Sequence, residues 1–215
     1  MLSDVLLLVS IVLVIIAYIR IILIYFKTKK IKIEEVTGFD IAKELTSNYD
    51  EINIVESKEV SISKYNLKRQ IIRLTSNDYN SNNIFTLSTS SLLAGYSLSK
   101  LYKDKNIQLF SKVFSNIDYL NKSAPLAIII SLSATNIGDA KISIIILIII
   151  LFYQYLINEI NNTSKEIINK TSEIIVEKEN YLLIEKIQNT FLELNKISFI
   201  TTLILILREI IIIIL

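Results

Sequence analysis

A chain of 215 residues has room for one modest domain, or for one domain and membrane spans. Apolar residues make up 52% of it, more than a soluble chain of this size can hide, and the charged 20% cluster between the apolar runs. The net charge of +2 is too small to argue for nucleic acid, the lack of cysteine excludes disulfides and thiolate chemistry, and the lack of histidine removes the commonest metal ligand and general base.

The first element is the apolar run VLLLVSIVLVIIAYIRIILIYF, 5–26, long enough to cross a bilayer of about 30 Å at about 1.5 Å per residue. Asp4 stands where a signal peptide would carry a basic residue, and no small-residue cleavage site follows, so residues 1–26 are expected to stay as a transmembrane helix. Arg20 lies close enough to the end of the run to snorkel to the interface. Lysines 27, 29 and 30 follow the run and none precedes it, which predicts an outside N-terminus and a cytoplasmic segment over 27–122.

That segment is expected to be α+β. Thr37 with Asp40 three positions on is close to a capping box, and Ile41 and Leu45 give the following helix a short apolar stripe. EINIVE alternates, placing Ile52 and Ile54 on one face of a strand. VSISKY and RQIIRLT read as two more strands around a turn at Asn66-Leu67. Residues 76–83 are a polar loop, and 84–102 have the length and spacing of a helix. A polar stretch then leads to Lys122.

Residues 123–157 form the second and third spans, PLAIIISLSATNIG and ISIIILIIILFYQYLI, a hairpin with a tight turn at Gly138. Residues 158–196 read as one or two amphipathic cytoplasmic helices. Residues 197–215 are the last span; Arg208 and Glu209 within it are expected to be a structural pair. The expected fold class is therefore an α-helical membrane protein of about four transmembrane helices with a small soluble α+β segment. Its multi-pass setting makes the lipid bilayer its first partner, with both soluble segments cytoplasmic.

Little in the residues alone points to catalysis. Gly38, Gly95 and Gly138 are too far apart for a phosphate loop. Glu44, Glu51 and Glu159 could bind a hard cation, but solvated carboxylates are the plainer reading. A Ser-Lys pair stays open, because both residue types are abundant.

The order of segments resembles the membrane-bound neutral zinc metallopeptidase family of the YugP type. There an N-terminal span is followed by a TG helix, a strand hairpin and a stretch like VVRLSxxVYxGxSIAAxAVAAHExGHAIQ. Here the corresponding stretch is IIRLTSNDYNSNNIFTLSTSSLLAGYSLS, gapless over 71–99, with Arg73, Leu74, Tyr79, Ile84 and Gly95 matching. TGFDIAKEL, SKYNLKRQ, LFYQYLINEINNTSKE and ISFITTLILILREI are similar to further family stretches in the same order.

The resemblance implies a zincin-like soluble segment in the bacterial cytoplasmic membrane. It also implies a site. In active members HExxH puts two imidazoles one helical turn apart on zinc, with the glutamate as general base. The first His position is Leu92, the Glu position Leu93 and the second His position Tyr96; only Gly95 survives. Glu159 keeps one residue of the acidic stretch that would supply a third ligand, and Asn161 replaces its aspartate. The expectation is a pseudoenzyme with no zinc and no catalytic residue, acting by binding an active paralogue or another membrane protein. An active peptidase with a non-standard site and an unrelated four-span module are the alternatives.

Overall fold

The computed structural model describes residues 2–34, 36–101, 105–120, 122–172 and 178–214. The chain divides into two compact units, Met1–Ile21 with Asn121–Asn158 and Glu193–Leu215, and Ile22–Leu120 with Glu159–Leu192.

The first unit is built from four helices: α1 (Leu2–Thr28), α6 (Ser123–Ser133), the start of α7 (Ile137–Ser172) and the end of α8 (Lys178–Ile214). Val14, Ala124, Ala127, Ile128, Leu147, Ile150 and Leu205 form its buried apolar core. Leu8, Val12, Ile15 and Ile19 on α1 and Ile145, Ile148 and Ile149 on α7 stay exposed, the pattern of helices whose outer faces meet lipid. Three helical stretches, Leu2–Thr28, Ile137–Glu166 and Asn180–Ile214, are long and apolar enough to cross a membrane. The expected second span is represented by α6, whose 11 residues rise about 16 Å.

The reversal after α6 is made by residues 134–136, not by Gly138, which lies in the first turn of α7. Ala134 is extended. The Asn136 side chain accepts from the Asp139 backbone N–H at 3.0 Å, and the Asp139 carboxylate accepts from the Asn136 amide at 2.8 Å and the Thr135 hydroxyl at 3.1 Å. An asparagine that can cap a helix thus takes the role expected of the glycine.

Arg208 and Glu209 are both buried, and they bind more than each other. One guanidinium nitrogen of Arg208 donates to Glu209 Oε1 at 2.7 Å and to the Ser131 carbonyl at 2.7 Å. The Ser131 hydroxyl donates to Glu209 Oε1. Ser131 is in the last turn of α6, where carbonyls lack helical partners. Arg208 therefore caps α6 with a charged donor, and Glu209 compensates that charge. Arg20 pairs with Glu193 at 2.8 Å, both about half exposed, a contact of small energetic weight.

In the second unit, α2 (Gly38–Thr46) opens with the anticipated capping box. Thr37 N–H donates to Asp40 Oδ2 at 2.9 Å, and Asp40 N–H donates to Thr37 Oγ1 at 3.2 Å. A Cβ on Gly38 would come 2.0 Å from the Asp78 carbonyl oxygen, so only glycine fits there. Four strands, β1 (Asn53–Ser57), β2 (Lys64–Asn66), β3 (Ile71–Thr75) and β4 (Asn116–Asp118), form one sheet in the order β1-β3-β2-β4. β1 runs parallel to β3, while β2 is antiparallel to β3 and β4. Tyr65, Ile72, Leu74 and Ile117 bury one face of it.

The turn between β2 and β3 covers 67–70 and is longer than the Asn66-Leu67 reading, with Gln70 at φ 55. Residues 76–80, read as loop, form a short helix α3 (Ser76–Asn80) because the Thr75 side chain caps it. The polar stretch before Lys122 holds α5 (Lys105–Val113), which buries Ile107 and Phe110, and then β4. α4 (Ile84–Leu101) packs on α2, β2 and β3; Tyr102, included in the expected helix, lies outside the described residues. Residues 158–196 are not separate helices. α7 continues to Ser172 and α8 begins at Lys178, since no proline or glycine breaks either run; 173–177 lie outside the described residues.

Candidate functional site

α4 carries four of the six positions singled out by sequence, and it is unusual in being buried along almost its whole length. Ser88, Thr89, Ser90, Ser91, Ser97 and Ser99 are buried together with Leu92, Leu93, Ala94 and Tyr96. Hydroxyls buried in a helix need partners. Several return to the helix's own carbonyls: Ser91 to Ser88 at 2.9 Å, Ser97 to Ala94 at 2.7 Å and Ser99 to Gly95 at 2.9 Å.

Ser88, Ser91 and Ser99 also tie α4 to the two helices that flank it in this unit. Against α8, Ser88 Oγ donates to the Ile184 carbonyl at 3.2 Å, and Gln188 Nε2 donates to Ser91 Oγ at 3.0 Å. Against α7, Ser99 Oγ and Ser164 Oγ are 3.0 Å apart. Gly95 lets α4 and α7 approach this closely. A Cβ there would lie 2.7 Å from Ile168 Cδ1 and 3.1 Å from Ser164 Cβ.

One turn from that contact, the Tyr96 hydroxyl donates to Asn161 Oδ1, and both residues are buried. Of the six positions chosen from sequence, the structure thus joins Tyr96 to Asn161 and places Gly95 beside them. Leu92 and Leu93 are buried hydrocarbon. Glu159 does not join the pair: two residues before Asn161, its side chain leaves α7 about 200° away.

Sequence reasoning missed Ser91, Ser99, Ser164 and Gln188. The available signal was the set of seven serines and threonines from Thr86 to Ser99 on an otherwise apolar helix, which demands polar neighbours. The lysine nearest α4's end is also engaged. Lys100 donates to the Leu67 carbonyl, and burial pulls its amino group below its ordinary pKa, partly offset by the charge of Glu51.

A family model described as "Putative neutral zinc metallopeptidase" matches residues 4–212. The chain belongs to this family. No curated protein and no solved structure matches it. The match covers both units, so the membrane helices and the α+β unit are together the family's unit of structure, not a fusion of unrelated parts.

The family name carries zinc, and the residues described above can be tested against it. A zinc site is usually built from three protein ligands drawn from Cys, His, Asp and Glu. Leu92 and Leu93 offer no lone pair. The Tyr96 phenol and the Asn161 carboxamide are weak donors to zinc and are already satisfied by one another. Among the described residues no group of three His, Cys, Asp or Glu side chains is placed to hold a metal ion. At these positions the side chains do not fit a zinc ion.

Proposed function

We propose that this chain is a membrane member of the neutral zinc metallopeptidase family that has lost peptidase chemistry and acts by binding a membrane partner. One observation carries the reading. Where the family resemblance sets a metal bridge between two helices, a phenol–carboxamide hydrogen bond joins Tyr96 to Asn161 instead. A buried hydrogen bond of this kind holds α4 on α7 without an ion, so the scaffold outlives the chemistry. The partner is a protein of the same membrane, an active family member or a former substrate class. The alternative site, a serine activated by lysine, has no support in Lys100, whose amino group is committed to a backbone carbonyl.

Four crossings are part of this reading. Gln154 Nε2 donates to Ser123 Oγ at 2.8 Å, which sets the start of α6 level with Gln154 on α7. From Gln154 back to Ile137 a helix rises about 25 Å. α6 rises about 16 Å, and the extended residues after it add roughly 10 Å, so the hairpin arms are matched in depth. With lysines 27, 29 and 30 after the apolar run of α1, the N-terminus and the 134–141 turn face outward and the α+β unit faces the cytoplasm. A single cysteine introduced at Lys141 reacts with an impermeant thiol reagent added outside intact cells; labelling only after the membrane is opened reverses the topology.

The catalytic reading is tested on purified full-length protein by elemental analysis and by hydrolysis of casein. The expected result is no stoichiometric zinc and no zinc-stimulated cleavage. Stoichiometric zinc released by replacing Asn161 or Glu159 would overturn it. Crosslinking in the native membrane, with identification of the captured protein, then names the partner.

A further inference from the structure

We propose that a cavity at the end of α1 binds a zwitterionic headgroup of the phosphoethanolamine type. The cavity has a volume of about 480 Å³, within the range of roughly 300–1,000 Å³ usual for small-molecule sites. It is independent of the Tyr96–Asn161 contact and of the loss of peptidase chemistry. Tyr25 and Lys29 come to it from the end of α1, Asp78 from α3, Phe85 and Thr86 from the start of α4, and Tyr119 from the residue after β4. Backbone pairing fixes this meeting of elements: Ile33 N–H donates to the Asn82 carbonyl at 2.9 Å, and Ile84 N–H donates to the Ile31 carbonyl at 3.0 Å.

One wall is aromatic. The Phe85 ring meets Tyr25 edge-on at 5.0 Å and Tyr119 edge-on at 6.5 Å between centroids. Two opposite charges line the same space. Lys29 Nζ lies 5.2 Å from the Tyr25 ring centroid, a cation held by rings and, among the described residues, by no carboxylate. Asp78 receives the Ser63 hydroxyl on one oxygen, while the other has, among the described residues, only the Thr86 hydroxyl at 3.5 Å, the outer limit of a hydrogen bond. Among the described residues Lys29 and Asp78 form no ion pair with each other. Burial, with the negative charge of Asp78 adding to it, holds the Tyr119 phenol protonated well beyond its usual range. Tyr119 is therefore a permanent donor, and the field of Asp78 reaches it.

A cavity with a separated cation and anion favours a guest of the opposite dipole. An ammonium meets the weakly bonded oxygen of Asp78 and the aromatic faces. A phosphate meets Lys29 and the Thr86 and Tyr119 hydroxyls. Tyr25 and Phe26 close the apolar run of α1 and Lys29 follows it, the aromatic-then-basic order of a bilayer interface, so membrane lipid is the nearest source of that headgroup.

The test titrates the full chain in detergent micelles with glycerophosphoethanolamine, with glycerol 3-phosphate and with ethanolamine. Glycerophosphoethanolamine is expected to bind, with either half weaker by about tenfold or more, the loss that follows from removing one charged hydrogen bond. Lys29→Gln, which breaks no hydrogen bond of the fold, is expected to weaken it by a similar factor, and Asp78→Asn to abolish the advantage over glycerol 3-phosphate. Native mass spectrometry from nanodiscs distinguishes the sources: retention of phosphatidylethanolamine by the wild type and not by Lys29→Gln assigns a lipid, whereas binding of the soluble compound alone assigns a free phosphodiester. No binding of glycerophosphoethanolamine, equal binding of glycerol 3-phosphate, or an unchanged Lys29→Gln variant overturns the proposal.

Discussion

Replacing Tyr96 by Phe removes a single oxygen from the middle of the α4–α7 contact and leaves Asn161 Oδ1 buried without its donor. Desolvating such an acceptor unpaired costs about 1–3 kcal/mol. For a chain of this size about 2 kcal/mol lowers the melting temperature by roughly 4–8 °C. Asn161→Leu inflicts the converse loss, taking from the Tyr96 hydroxyl its Asn161 acceptor, with a similar cost. The double variant carries neither orphan. It is expected to melt within about 1 kcal/mol of the wild type, so the two changes couple by roughly 2 kcal/mol or more, well outside the additivity of independent sites. Thermal unfolding of the full chain in detergent, followed by near-ultraviolet circular dichroism with and without a chelator, measures all four corners. A chelator-sensitive melting temperature in the wild type, or single effects that sum within about 0.5 kcal/mol, would refute a metal-free hydrogen bond as the link between the helices.

Three further outcomes follow from buried groups elsewhere. Arg208→Ala leaves Glu209 charged and buried and removes the cap of α6; it is expected to destabilise the helical unit by about 3–5 kcal/mol in a detergent-unfolding titration, whereas Arg208→Met with Glu209→Leu costs much less. The Tyr65 hydroxyl is buried with no hydrogen-bond partner among the described residues, so Tyr65→Phe is expected to raise stability by roughly 1 kcal/mol at neutral pH. Burial also raises the Tyr65 pKa. A group whose folded pKa lies above its unfolded value near 10 stabilises fully below that pH and loses the contribution as pH rises through it. Alkaline melting above about pH 10 is therefore expected to flatten in Tyr65→Phe and in Tyr119→Phe; an unchanged profile counts against both burials.

Elements driven by local chemistry were legible in the chain. The Thr37–Asp40 box, the 5–26 apolar run and the Ile71–Thr75 strand are written in neighbours a few residues apart. What escaped depends on distant partners. β4 is three residues long and is a strand only because β2 pairs with it. Ser76–Asn80 has a loop's composition, and the Thr75 cap tips it into a helix. Gly138 invited a turn, yet Asn136 and Asp139 made a better start for α7. At the site the substituted positions 92–96 could be placed by pattern. The bonds that replaced the missing donors, such as Tyr96 to Asn161 and Gln188 to Ser91, join residues 65 and 97 apart, and no local pattern announces them.

The guanidinium that closes α6 has a temporal consequence. Ser131 leaves the ribosome 77 residues before Arg208 does, so in the four-crossing topology proposed above the carbonyl end of α6 enters the membrane before its cap has been synthesised. On that topology the hairpin is expected to settle only once the final helix arrives beside it. A chain cut short ahead of Arg208 would therefore lose the insertion of α6 as well as its own last helix, and quality-control proteases would see two exposed segments for one truncation.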